Sequence, residues 1–352
     1  MVTLTEWHQQ LGARLAADGI PLDYGSMRAE WDAGLGAAVL LDRSHEGRIS
    51  LTGRDSQVIV DRMTTNRVKG LAVGSGCATI FTTPTARIIE RAEVYQRESD
   101  LMLITHPPRR EMMAEMLRRN VFYGDQVVIA DETASTAMLA LHGPAAGAAL
   151  AQAGVSAAEL EVYSHIVAAI DDVPVLVLRR SPLAGSHFAI VMPADQAAQV
   201  HRVLLTAGKS LGLLPGGSLL YNALRIRAGV PSLPELSEEY LPLEVGLWPD
   251  ISFSKGCYTG QEIIARMDSR EKLARVLVRL QMPQYVPAPQ PILLGGQPVG
   301  TMTSSVAAPD GNVYAMGVVR TAVAARSRVE VGSTEAVIGE VLGNQPDWVT
   351  LG

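Results

Sequence analysis

Phe253-Ser254-Lys255-Gly256-Cys257-Tyr258-Thr259-Gly260-Gln261-Glu262-Ile263-Ile264-Ala265-Arg266 is the densest run of chemically capable residues in the chain. It holds a thiol, a lysine, two glycines, a tyrosine and an amide–acid pair. Gly256 and Gly260 allow close backbone approach or a left-handed turn. Thr259 with Glu262 three residues on has the spacing of a capping box, which predicts a helix from about Thr259 through Arg266. Cys257 then precedes a helix N-terminus. The partial positive charge there, with nearby Lys255, favours a thiolate. The same spacing also suits a buried, unreactive cysteine, and a lysine two residues away acts on a thiol only if it points toward it.

The run sits where the pattern of the chain changes. On its N-terminal side strands and helices intermix. Arg48–Thr52 alternates as a strand, Gly53-Arg54 turns, and Asp55 caps a helix to about Met63. A hairpin about Pro84-Thr85 joins 78–81 to 88–95, and 101–104 is a third strand. Arg110–Arg119 is a helix with Met112, Met113, Met116 and Leu117 inward, and 126–130 closes the set. A second round follows: a strand at 138–141, an alanine-rich helix after His142-Gly143-Pro144, strands at 162–170, 175–178 and 187–191, and helices at 195–207 and 218–228. Residues 4–18 form a short amphipathic helix stopped by Gly19-Ile20-Pro21, and the segment to Ser44 is an arm on the first unit. Beyond Arg270 only strands remain, at 274–281, 299–305, 314–319 and 337–341, between proline- and glycine-rich turns. That pattern predicts a small barrel or sandwich. The expected class is α+β: two ferredoxin-like, split βαβ-type units (1–134 with the arm, 135–270 with the cysteine run) and a C-terminal β-barrel (271–352).

The chain has 352 residues, 47% of them hydrophobic and 19% charged, with net charge −6. This is a globular composition with enough length for two or three units. No Lys/Arg block stands out, which argues against stable nucleic-acid binding. Two cysteines, Cys77 and Cys257, cannot make a disulfide scaffold, and the Cys/His spacing offers no four-ligand metal set. His45, His142 and His187 read as turn or surface histidines. The N-terminus lacks the pattern of a secretory signal, and no apolar run is long enough to span a bilayer. A cytoplasmic location with no membrane contact is expected.

Lys255-Gly256-Cys257-Tyr258-Thr259-Gly260-Gln261-Glu262 resembles the signature of the YgfZ family, folate-binding proteins built like the aminomethyltransferase (T-protein) of the glycine cleavage system. The likeness extends along the chain. Leu51-Thr52-Gly53-Arg54-Asp55 with Thr64-Thr65-Asn66 is similar to the first-domain signature of T-protein-like folds. Leu141-His142-Gly143-Pro144 is similar to the second and Leu224-Arg225-Ile226-Arg227-Ala228-Gly229 to the third. Pro242-Leu243-Glu244 precedes the cysteine run as in the family. The resemblance implies three domains in a ring about a site for tetrahydrofolate or a one-carbon derivative. It implies Glu244 on the pterin edge, Arg225 or Arg227 on the anionic tail, Asn66 nearby and Tyr258 stacked on the pterin. For each of these an ordinary structural role, such as an ion pair for Arg225 or packing for Tyr258, is the competing reading.

Two departures stand out. The acidic pair of T-proteins falls here on Ile89-Glu90-Arg91-Ala92, where Arg91 beside Glu90 suggests a salt bridge rather than a general base. The glutamate that T-proteins place after Gly-Phe falls on Ala189. The leading expectation implied by the resemblance is therefore a folate-binding accessory protein for maturation or repair of iron–sulfur client enzymes. Cys257 would be its reactive thiol and Lys255 its activator. Gln261 and Glu262 would orient the loop, and Arg266 would anchor the helix to an acid. The alternatives are a folate-dependent aminomethyltransferase or demethylase using Glu90 or Glu244, and a non-catalytic scaffold.

Overall fold

The computed structural model describes residues 2–352. The chain separates into two compact units. The first comprises residues up to Val60, Val68–Cys77 and Ala92–Leu224; the second comprises Asp61–Arg67, Ala78–Arg91 and Arg225–Gly352. The class is α+β, as the pattern of elements predicts.

The first unit is built on a six-stranded sheet in the order His165–Ile170, Val173–Arg179, Ser186–Pro193, Thr136–Gly143, Ala38–Asp42, Leu213–Gly216. All neighbours are antiparallel except the last pair. Ala38–Asp42, expected as part of an arm, is an inner strand buried at every position. Its apolar run is continuous rather than alternating because both of its faces are covered. Helices Ala146–Gln152 and Ala197–Gly208 pack Ala149, Leu150, Val200 and Leu204 into a core with Leu141 and Phe188.

The N-terminal helix is shorter than its amphipathic pattern suggests. It runs Leu4–Gln10, capped by a reciprocal Thr3–Glu6 pair. Gly12 then takes a left-handed φ of 81°, and Arg14–Leu15 pairs with Pro21–Asp23 as a two-stranded ribbon. His8 ties this helix to the sheet: its ring is 3.1 Å from Asp42 Oδ2 and 2.7 Å from the Tyr24 hydroxyl.

A second, antiparallel sheet carries residues 92–96, Leu101–Thr105, Gly47–Thr52 and Val128–Asp131. Helix Arg110–Arg119 buries Met113, Ala114 and Leu117. Met112, expected inward, is 44% exposed, and Met116 is only half-buried. The strand expected from Val162 starts at His165, because Tyr163 sits at φ 65°.

His142 and His187 are neither turn nor surface residues. They lie in direct register on adjacent strands, wholly buried and stacked with ring centroids 3.8 Å apart. His187 Nδ1 lies 2.9 Å from the Ser181 carbonyl, so that nitrogen carries the proton. His187 Nε2 and both nitrogens of His142 have no partner. Burial, then the Arg180 charge, pushes His187 down to about 3. Burial, then His187, holds His142 well below the ordinary range. A closed ion network lies in the same unit: Arg180 donates to Glu93 at 2.7 Å and to Glu46 at 3.0 Å, and Arg43 to Glu46 at 2.6 Å.

The second unit is dominated by a closed six-stranded barrel in the order Arg275–Gln281, Val313–Arg320, Gln297–Ala307, Gln290–Leu294, Arg328–Val331, Thr334–Val341. Two of these strands escape the sequence pattern. Gln290–Leu294 carries Pro291, which breaks the alternation, and Arg328–Val331 is only four residues long. No α-helix follows Ser269 among the described residues. The barrel interior joins Ile226, Tyr240, Leu243 and Trp248 in one apolar core.

Candidate functional site

The cysteine run belongs entirely to the second unit, as do Thr64-Thr65-Asn66 and the hairpin turn about Pro84. Its helix is Gln261–Ser269, and the residue before it, Gly260, is left-handed at φ 83° with no side-chain cap. The expected Thr259–Glu262 capping box is therefore not formed. The Thr259 carbonyl instead accepts from the Thr82 hydroxyl at 2.6 Å. A Cβ on Gly260 would lie 2.9 Å from Ala86 Cα and from the Thr83 carbonyl oxygen, so both φ and space demand glycine there. Gly256 has open space around it. Glu262 and Arg266 are exposed and pair with each other at 3.0 Å, so the acid anchoring Arg266 lies in its own helix.

Lys255 has a task the spacing does not reveal. Its ammonium donates to the carbonyls of Asp61 at 2.6 Å, Thr64 at 2.8 Å and Asn66 at 2.6 Å. The Asp61 carboxylate lies 3.3 Å away. These carbonyls belong to the last turn of helix Ser56–Met63 and the loop after it, where a cation is favoured. Three ammonium hydrogens meet three carbonyl oxygens, so Lys255 is a clasp between two loops. Cys257, two residues on, is an exposed free thiol. It precedes the first helical residue by four positions and not by two.

Tyr258 is turned inward. It is 8% exposed within the apolar core, with the Lys255 ammonium 5.4 Å from its ring centroid. Burial pushes its phenol up to about 12. Gly256 and Cys257 are thus displayed between fixed points: Lys255 on one side, Tyr258, Thr259 and Gly260 on the other.

Three of the residues named for folate, Arg225, Glu244 and Asn66, have partners within this unit. Arg225 donates to Glu235 at 3.1 Å and to the Ser304 hydroxyl at 2.9 Å, and Ser304 donates to Glu235 at 2.6 Å. Glu244 accepts from Arg275 through both oxygens, at 3.1 and 2.9 Å, and from the Leu241 N–H at 3.0 Å. Asn66 donates to the Ala78 carbonyl at 2.8 Å and accepts from the Arg67 N–H at 2.8 Å. Arg227 is exposed. Ala189, in the first unit, is a buried strand residue.

Successive strand residues point to opposite faces, and Arg91 meets Asp250 at 2.6 Å. Glu90 is wholly buried on the strand Ile88–Gln96. Asp250 also ties the loops through its backbone, accepting from the Thr65 hydroxyl at 2.7 Å. Asp250, Glu235 and Arg275 were missed by motif reading. Their one sequence signal is the type of residue each must neutralise, because a buried charge requires an opposite partner. Among the described residues no group of three or more His, Cys, Asp or Glu could hold a metal, and no helix is long and apolar enough to cross a membrane.

Residues 4–255 match the GCVT N-terminal domain model. A protein of Arabidopsis thaliana described as a "putative transferase, chloroplastic" is 30% identical over 335 residues, covering 94% of this chain and 76% of its own. The aminomethyltransferase of Streptomyces avermitilis is 28% identical over 337 residues, covering 92% and 90%. The crystal structure of the glycine cleavage system aminomethyltransferase T from Bartonella henselae superposes with a TM-score of 0.85 over 97% of each chain, at 22% identity. With the GCVT domain model matching most of its length, the chain belongs to the GCVT family, and its fold is that of the T-protein.

Proposed function

We propose that this protein binds a reduced folate and performs one-carbon group transfer of the aminomethyltransferase type. The observation that carries the reading is the match to the GCVT domain and to aminomethyltransferases along nearly the whole chain. Glu90 is the carboxylate kept at the position of the acidic pair, on a rigid, buried strand. Arg225, Glu244, Asn66 and Tyr258 have internal partners or packing within their own unit, which orients them there. The test is glycine-dependent formation of methylenetetrahydrofolate when this protein replaces the T-protein among the other glycine cleavage proteins. The reading predicts turnover that Glu90→Gln abolishes. No turnover at high protein concentration, with folate binding intact, would overturn the transferase half.

The exposed thiol favours a second reading. Cys257 stands on a loop pinned at both ends, within the full YgfZ-type signature. That arrangement supports a folate-linked accessory role toward iron–sulfur client enzymes, with the thiol meeting a partner. Cys257→Ser should then fail to restore iron–sulfur enzyme activity in a strain lacking the protein. Full restoration by the serine variant would remove this reading.

A further inference from the structure

The six-stranded sheet of the first unit ends on an open edge. Strand His165–Ile170 is last in the strand order and pairs on one side only, with Val173–Arg179. Asp171-Asp172 joins the two, both residues left-handed at φ 50° and 63°, as in the two-residue turn of a tight hairpin. Ile170 and Val173 close that turn as a hydrogen-bonded pair. Bonded and non-bonded pairs then alternate, so the N–H and C=O groups of residues 165, 167 and 169 point away from the sheet. His165 shows the direction: its N–H donates outward to the Gly74 carbonyl at 2.9 Å. Pro174, with no N–H to give, stands opposite Ala169, where the ladder asks for none. Beyond Gly74 the main-chain groups of Val167 and Ala169 have no partner among the described residues. Edges are commonly blunted by Lys, Pro or a bulge, and His165–Ile170 has none of them.

A groove of about 430 Å³ runs beside this edge, with Val167, Leu176 and Val73 as its apolar wall. Val167 is 79% and Val73 62% exposed, so both are open to contact. A strand laid along the edge places the side chain opposite Val167 on the same face of the sheet, in the groove. The charges at the two ends decide what fits. Arg97, the lining cation, is matched by Asp100 at 2.5 Å and by both Glu132 oxygens at 3.0 Å. Burial, then the Arg97 charge, lowers His165, so it adds no positive charge at neutral pH. Glu98 at one end and Asp172 at the other are exposed and have no ion pair among the described residues. We propose that this edge receives an extended segment of another protein, paired to the main chain of Val167 and Ala169, with an apolar side chain in the groove and lysine or arginine at its flanks. Main-chain pairing supplies the affinity and the groove and end charges the selectivity. A second copy of the chain is the wrong complement, because its own edge strand carries no Lys or Arg and ends in Asp171-Asp172.

Amide hydrogen exchange of the full chain, read by NMR with the peptide acetyl-Lys-Val-Ser-Val-Lys-amide, tests this. The expected result is saturable one-to-one binding that slows exchange at Val167 and Ala169 by about tenfold or more and weakens with added salt. The glutamate-flanked peptide, and the lysine peptide N-methylated at both valines, should bind more weakly by about tenfold or more. Glu98→Gln with Asp172→Asn, both exposed, should leave the melting temperature unchanged and weaken the lysine peptide by about threefold or more. Equal binding of the N-methylated or glutamate-flanked peptide, protection confined to other residues, or no saturation at tens of millimolar peptide would each overturn the proposal. So would a dimer of the free chain that Val167→Pro dissolves, since the edge would then belong to a second copy.

Discussion

Lys255 shows how a motif can mark a residue while its hydrogen-bond partners stay hidden. The lysine–cysteine spacing is plain in the sequence, but the loop that receives the ammonium lies nearly two hundred positions earlier, and no local pattern reports it. Lys255→Met would leave three carbonyls and the Asp61 carboxylate without their cation. The expected loss is about 2–3 kcal/mol of unfolding free energy, read from urea midpoints. Arginine should rescue little, since its planar fork does not reproduce three converging hydrogen bonds. Unchanged stability in Lys255→Met would refute the clasp. Gly260 and Gly256 separate in the same way. Gly260→Ala meets both a left-handed backbone and a 2.9 Å contact, and should cost about 2 kcal/mol or more. Gly256→Ala should stay within about 0.5 kcal/mol. Their order reversed would contradict the loop geometry.

At the scale of elements, alternation and caps made most strands and helices legible, because half-buried elements write their period into the sequence. The exceptions have physical causes. Ala38–Asp42 is covered on both faces, so it carries no alternation to read. Gln290–Leu294 has a neighbour on each side, but its pairing with Arg328–Val331 involves only Ile292 and Leu293, so Pro291 lies beyond that ladder and costs it no bond there. The stacked histidines were hidden because only the register of two distant strands brings them together. Their burial has a pH consequence. Both bind protons more weakly folded than unfolded, where the ordinary value is about 6.5. As pH falls below about 6.5 the unfolded chain takes up protons that the native state refuses until about 3 for His187. Stability is therefore full above that window and drops through it, by up to about 1.4 kcal/mol per pH unit per histidine. Urea melts at stepped pH should show this slope, reduced by about one proton in His187→Phe. An unaltered slope in the variant would place the acid sensitivity elsewhere.

For the molecule as a whole, the T-protein superfamily was legible from motifs spread along the chain and the barrel from the run of strands after Arg270, while the partners of the named site residues were not. Motifs mark which positions matter; burial and register decide what each one touches. Arg225 and Glu244 illustrate the gap, since both are engaged in ion pairs whose other halves lie in unremarkable sequence. The central claim is that this fold still receives a reduced folate although Ala189 and Arg91 replace acidic residues of T-proteins. It is tested most directly by titrating the purified protein, under reducing conditions, with tetrahydrofolate and its 5-formyl derivative. The account predicts saturable, stoichiometric binding in the micromolar range, unaffected by Cys257→Ser. No saturable binding at millimolar folate would contradict it and leave a T-protein fold that has lost its ligand.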